Sequence, residues 1–261
     1  MEIKAIFATY LESPYAGSLP AEYDAAKEAL EGAPFSGKTL QGILESIADK
    51  RDAAAFPRKA GLFLSACLRL LKVSSELDLA VLGDTRLHCA GAFLHLYDLT
   101  LIGDVGNYAG AHMAAGKLIV KGDAGDYAGA SMTGGSLTVE GLAENHCGHS
   151  MSGGSILVKK NVHDFAGNAM TGGAIAVRAN AGYSIGYRMK GGLITVKDLS
   201  WDLAGEEMVG GRIELGGHIG ADLGFSMAGG EIAVLEEHQD TLRPKAKGGT
   251  LVVLPSKKKK K

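Results

Sequence analysis

The densest group of metal-capable side chains is His146-Cys147-Gly148-His149, with His163 one repeat later and His88, Cys89 and His112 upstream. Imidazole and thiolate are the donors zinc favours, so His146, Cys147, His149 and His163 would make a metal site if they faced one way. Their spacing matches no recognised zinc pattern, and substitution by size into existing columns of the repeat explains the same residues. Cys89 with His88 and His95 offers a nucleophile and bases, which is the minimum for a hydrolase. The chain has no GxSxG elbow, and Ser150, beside His149, falls in a column that also holds Ser131, Ala169 and Arg188. Carboxylates that cleave polysaccharides work in close pairs. Here Asp104, Asp123, Asp126, Asp164, Asp202 and Asp222 are spread over many repeats, which suits turns better than one reaction centre. Trp201-Asp202 with Glu206-Glu207 sets the only tryptophan among acids in a short stretch, and reads as a contact patch for a partner protein.

What must position these residues is a unit of nineteen. Set out in lines of that length, one column reads Gly91, Gly110, Gly129, Gly148, Gly167, Gly186, Gly205, Gly224, and another runs from Gly116 to Gly249. A third holds Met113, Met132, Met151, Met170, Met189, Met208 and Met227, which with Met1 are all the methionines present. After each paired glycine comes an apolar-x-apolar triplet, as in Leu118 and Val120, Leu137 and Val139, Ile156 and Val158. That is a short strand with one buried face. Such a unit cannot bury its own apolar side, so it must stack on copies of itself. The predicted fold is mainly β, a β-solenoid of about nine 19-residue coils over residues 76–254 and, at about 4.8 Å per coil, on the order of 40 Å long. Glycines are expected at corners with positive φ or crowded backbone, and methionines inside. A phosphate loop is disfavoured, because a strand and not a helix follows the glycines.

Residues 1–75 lack the repeat and read as a small helical cap. Met1–Tyr10 alternates like a strand or irregular arm. Helices are expected over Pro20–Leu30, about Leu40–Lys50 with Leu40, Ile43, Leu44 and Ile47 on one face, and after Pro57 with Leu62, Phe63, Ala66 and Leu70 facing them. Glu76–Leu82 again alternates as a strand. Asp84–Ile102 replaces the methionine by Leu94 and the paired glycine by Leu96-Tyr97, which marks a transition coil. The pattern lapses at Leu235–Lys245 and recovers at Gly248, as a closing coil would. Lys257–Lys261 is a solvated tail, so the expected organisation is 1–75, 76–254 and 255–261.

Composition narrows the function classes. The 38 glycines are about twice the average share, and aromatics are sparse at 6%. A net charge of -2 gives no general pull toward nucleic acid or an anionic membrane. Cys67, Cys89 and Cys147 are odd in number and form no CxxC, and the N-terminus does not read as a signal peptide, so a reducing cytoplasm is expected. No cofactor is implied.

Gly103-Asp-Val-Gly-Asn-Tyr-Ala-Gly-Ala-His-Met-Ala-Ala-Gly-Lys-Leu-Ile-Val120 and its copies, over about residues 84–254, resemble the GXGXG solenoid family. That family includes the C-terminal domain of glutamate synthase large subunits, and the β-helical subunit of formylmethanofuran dehydrogenases and of the related formyltransferase/hydrolase complex. The unbroken Met-x-Gly-Gly coils look most like the formylmethanofuran group. The resemblance implies a right-handed, single-stranded β-helix and a non-catalytic architectural role, holding the other subunits of a one-carbon or ammonia-transferring assembly. Some members stand alone and carry an esterase label, which keeps a hydrolase as the alternative. Residues 1–75 do not match the N-terminal region of those subunits, and the coils lack an insertion expected in a complex-bound form. An imperfectly capped end could also pair with a second copy.

Overall fold

A computed structural model describes residues 2–235 and 247–255 of the chain. Four helices precede the solenoid: α1 (Ile3–Glu12), α2 (Leu19–Ala29), α3 (Leu40–Ile47) and α4 (Phe56–Leu71). Ten parallel strands follow in sequence order in one sheet: β1 (Ser75–Asp78), β2 (Leu99–Ile102), β3 (Lys117–Val120), β4 (Thr133–Val139), β5 (Gly153–Val158), β6 (Ala174–Val177), β7 (Leu193–Val196), β8 (Arg212–Leu215), β9 (Glu231–Leu235) and β10 (Thr250–Leu254). The result is a β-solenoid of about eight turns.

The helices follow the expected ranges with three corrections. Residues 3–12 form a helix instead of a strand or arm. Buried Ile3, Ile6, Phe7 and Tyr10 have i, i+3, i+4, i+7 spacing, and that helical stripe outweighs the short alternation read from Glu2 and Lys4. Leu70 is 43% exposed and does not face α3. The helical stripe of α4 shifts instead onto Leu62, Phe63, Ala66 and Leu68, packed with Leu40, Ile43, Leu44 and Ile47. The strand expected at Glu76–Leu82 stops at Asp78, whose Oδ1 accepts the Ala80 N–H and starts a 3-10 turn over Leu79–Leu82.

The nineteen-residue register is kept from β2 to β10: Leu99 pairs with Leu118, Leu118 with Leu137, and so on to Leu251 with Ile232. The β1–β2 step is longer, Ser75 pairing with Leu99 across the transition coil, and at the start of β4 Thr133 pairs with Gly153, twenty residues on, before the register returns to nineteen at Ser136. Within a coil the strand's inward residues, such as Leu137 and Val139, are buried. The methionine column is buried throughout, and from Met151 onward it fits the glycines of the next coil: the methyl of Met151 lies 2.7 Å from where a Cβ on Gly173 would stand. The methyls of Met170, Met189 and Met208 stand in the same relation to Gly192, Gly211 and Gly230, so each methionine occupies the space that glycine leaves in the next coil.

Glycines do not account for all the left-handed backbone. Residues 108, 110 and 112 have φ of +63°, +66° and +57°, and the same alternation recurs in the later coils at tyrosine, histidine, serine and leucine as well as glycine. The reason is hydrogen bonding. The N–H groups of Tyr108 and His112 donate to the next coil, to the carbonyls of Asp126 and Ala130, whereas Gly110 N–H donates back to Ala90. Alternating handedness points successive amides up and down the stack, and these bonds offset a strain of about 1–3 kcal/mol per left-handed residue.

A further pair of ladders is built from side chains. Asp104 Oδ1 accepts from Asp123 N–H and Asp123 Oδ1 from Leu142 N–H; Asn161 and Asn180 repeat the bond later in that column. Three residues along, Asn107, Asp126, Asn145, Asp164 and Asp202 each accept the backbone N–H one coil on. Between the two ladders runs a narrow line of parallel bridges, Val105, Ala124, Ala143, Val162, Ala181, Ser200 and Ile219. Asp104, Asp123, Asp126, Asp164 and Asp202 are therefore turn residues joining coils. The closing loop after Leu235 falls largely on residues 236–246, and the lysine tail on 256–261; both lie outside the described residues.

Candidate functional site

Helix α4 meets the solenoid at Gly61, where a Cβ would run into the His88 carbonyl; only glycine lets the helix lie this close. His88 N–H donates to Pro57 O at 2.9 Å, tying the start of α4 to the transition coil. His88 Nδ1 accepts the Asn107 N–H at 2.8 Å, the place an Asn or Asp oxygen takes in later coils. His88 is thus the first rung of an Asx ladder, and its neutral form carries its proton on Nε2. Burial, and then the Arg58 charge, hold its pKa below the usual histidine value. It lines an open groove of about 440 Å³ together with Arg51, Asp52, Arg86, Asn107 and Glu144.

The hydrolase candidates are not assembled there. Cys89 is buried, with burial pushing its thiol up to about 12, so it is not a thiolate near neutrality. His95 is exposed and lines a different, smaller cavity against α2 and α4. The metal candidates are brought together only in part. His146 stacks in an aromatic column with Tyr127 (centroids 4.7 Å) and Phe165 (5.1 Å), and Tyr108 stacks on Tyr127 at 5.0 Å. His149 packs edge-on to Tyr127 and His146, and burial lowers its pKa. Cys147 is fully buried, with its thiol pushed up to about 12, and His163 is exposed in the following coil. Among the described residues no group of three or more His, Cys, Asp or Glu is placed to hold a metal ion. The His146–His163 set thus resolves into an aromatic rung, an edge contact, a buried alanine-sized core position and a surface residue.

The family model described as the GXGXG motif matches residues 95–251, well over half of the chain. The chain belongs to the GXGXG motif family. No curated protein matches it. Within this GXGXG solenoid, no described helix is long and apolar enough to cross a membrane.

The stretch expected to contact a partner is built differently from the rest. Trp201 is 49% exposed and leans on Tyr183, itself 43% exposed, with ring centroids 5.4 Å apart. Trp201 belongs to the column of Gly106, Gly125, Gly182 and Gly220, so its ring rises from a floor that is otherwise mostly backbone. The acids beside it are pinned: Glu206 accepts from Ser184 Oγ at 2.9 Å, Glu207 pairs with Arg188 Nε at 2.7 Å, and Asp202 is a ladder rung. Sequence reasoning found Trp201 and the acids but missed Tyr183, whose signal is a tyrosine breaking the Asn/Asp column one repeat earlier.

Proposed function

We propose that this GXGXG protein is a non-catalytic architectural solenoid that docks enzyme partners along its coil faces, in a one-carbon-transferring assembly of the formylmethanofuran dehydrogenase or formyltransferase/hydrolase type. The observation that carries the docking role is the Tyr183–Trp201 pair: two large rings, each about half exposed, beside acids already held in place. A rigid aromatic pair with a polar rim is the composition of a protein-binding hot spot, because burying it costs little side-chain entropy. The likeness of the Met-x-Gly-Gly coils to the formylmethanofuran group supports the one-carbon assignment over the glutamate-synthase-type alternative. Purification of the chain from its native cells, with identification of whatever co-purifies, tests the reading. Stoichiometric recovery of redox or formyl-transferring subunits is expected, and a glutamate synthase partner would favour the alternative.

Self-association has an observation of its own. Leu251 and Val253 of β10 are 38% and 37% exposed, whereas their counterparts Ile232 and Val234 are buried. An apolar end of this kind suits pairing with a second copy, and light scattering on the purified chain reads it directly.

A further inference from the structure

Parallel sheets are usually covered on both faces, and the solenoid core covers only the inner face of this one. In β5, β6 and β7 the inward side chains are buried, whereas Leu157, Ala176 and Thr195 stand on the outer face and are only partly buried. The next outward residue of each of these coils is an exposed cation: Lys159, Arg178 or Lys197. Their N–H groups donate to the carbonyls of Val139, Val158 and Val177, so the ladder runs on through them and sets three cations one coil apart, at about 4.8 Å along the backbone.

This column begins with alternating charge, Lys121, Glu140, Lys159, and Arg178 breaks the alternation. Like charges directly opposite one another cost stability. Lys159 is offset by Glu140 at 2.6 Å and Lys197 by Asp198 at 3.6 Å, but among the described residues Arg178 takes part in no ion pair. We propose that this face receives an acidic amphipathic helix of a partner protein, laid along the solenoid axis with its carboxylates on Arg178 and the flanking lysines. The proposal extends the docking reading, and rests on it, but concerns a face that needs neither Trp201 nor the one-carbon assignment.

Dimensions favour a helix. One turn rises about 5.4 Å, close to the coil spacing of about 4.8 Å, so carboxylates at i, i+3 and i+7 fall opposite successive cations. An extended strand laid the same way repeats on one side every ~6.8 Å and falls out of step. The outward triplet Ser155, Leu157, Lys159 spans roughly 13 Å, enough to seat a helix about 10 Å across. The uncharged middle column runs through paired residues from Ile119 to Thr195, four coil steps or about 19 Å, the length of a helix of about 13 residues. Its floor of Leu157, Ala174 and Ala176 suits an apolar stripe and not a phosphate backbone. A second copy of the chain does not offer that stripe, because its acid-bearing helix α2 buries Tyr23 and Ala26 in the cap. A planar guanidinium with unpaired donors matches a carboxylate two-pronged, which makes Arg178 the anchor.

The test is photo-crosslinking, in its native cells, of the full chain carrying p-benzoylphenylalanine in place of Leu157, with the crosslinked peptide sequenced by mass spectrometry. An adduct to a segment of another protein with carboxylates three or four residues apart is expected. It should fall roughly tenfold or more in Arg178→Glu and return when the facing carboxylate of that segment is changed to lysine. An unchanged thermal midpoint in R178E, together with that rescue, separates lost contact from lost fold. An adduct to nucleic acid, to a second copy of this chain or to a segment without such acids, or an adduct insensitive to R178E, would overturn the proposal. So would the absence of any adduct while other proteins still co-purify; the absence of both would overturn the docking reading as well.

Discussion

The coils from Gly103 onward and the boundary between α4 and the transition coil use the same residue types to opposite ends. In the regular coils the stack takes up most groups that could do chemistry: carboxylates accept the next coil's N–H, His146 stacks between rings, and Cys147 fills an alanine-sized hole. At the boundary the rungs are interrupted, and two cavities open within a few residues of each other. In a stacked repeat, chemistry-bearing residues are explained first by their column, and only those that break a column invite a functional reading.

Substitutions can break that contrast. Gly148→Val meets both penalties of the regular coils, since φ is +71° and the new carbons collide with the Ile175 side chain. A loss of about 3–5 kcal/mol is expected, read by denaturant unfolding. Met170→Ala opens a hole beneath Gly192 and should cost about 2–4 kcal/mol in the same experiment. Asp126→Ala removes an acceptor shared by the N–H and side-chain amide of Asn145, and should cost about 1–2 kcal/mol. Leu96→Ser at the boundary, where Leu96 is 68% exposed, should change stability by less than about 0.5 kcal/mol. If Met170→Ala proved as mild as Leu96→Ser, the division into scaffold and boundary would fail.

The smallest effect is pH dependence. His88, His112 and His149 have lowered pKa values, with burial the leading cause in each, so protonation favours the unfolded chain. Their contribution is complete above the ordinary value near 6.5 and declines as pH falls below it toward the folded values. Thermal midpoints measured downward from pH 7 should therefore drop. His88→Asn, which installs the rung type of the later coils, should flatten part of that slope while keeping the fold.

The solenoid was legible because its period is in the sequence: glycine, methionine and apolar columns each repeat without a gap, and stacking follows from them. The left-handed tyrosines and histidines were not, because their handedness comes from which coil each amide must reach, a constraint that residue type does not announce. The helix at Ile3–Glu12 was hidden by its brevity, where a two-residue and a three-to-four-residue period overlap. At the boundary, His88 and His95 were visible as candidate bases beside Cys89, and Leu94 and Leu96-Tyr97 as departures from the repeat. Arg69 and Tyr23 were not, since only the docking of α2 and α4 brings them to that coil.

The proposed docking of partners on the Tyr183–Trp201 face is read most directly by native purification of the wild-type chain beside Trp201→Ala, with the co-purifying proteins identified and quantified. Stoichiometric enzyme subunits are expected with the wild type, and a loss of roughly tenfold or more with a folded W201A, as for a central hot-spot residue. A wild-type chain that always elutes free of other proteins, or a W201A that retains its full complement, would contradict it.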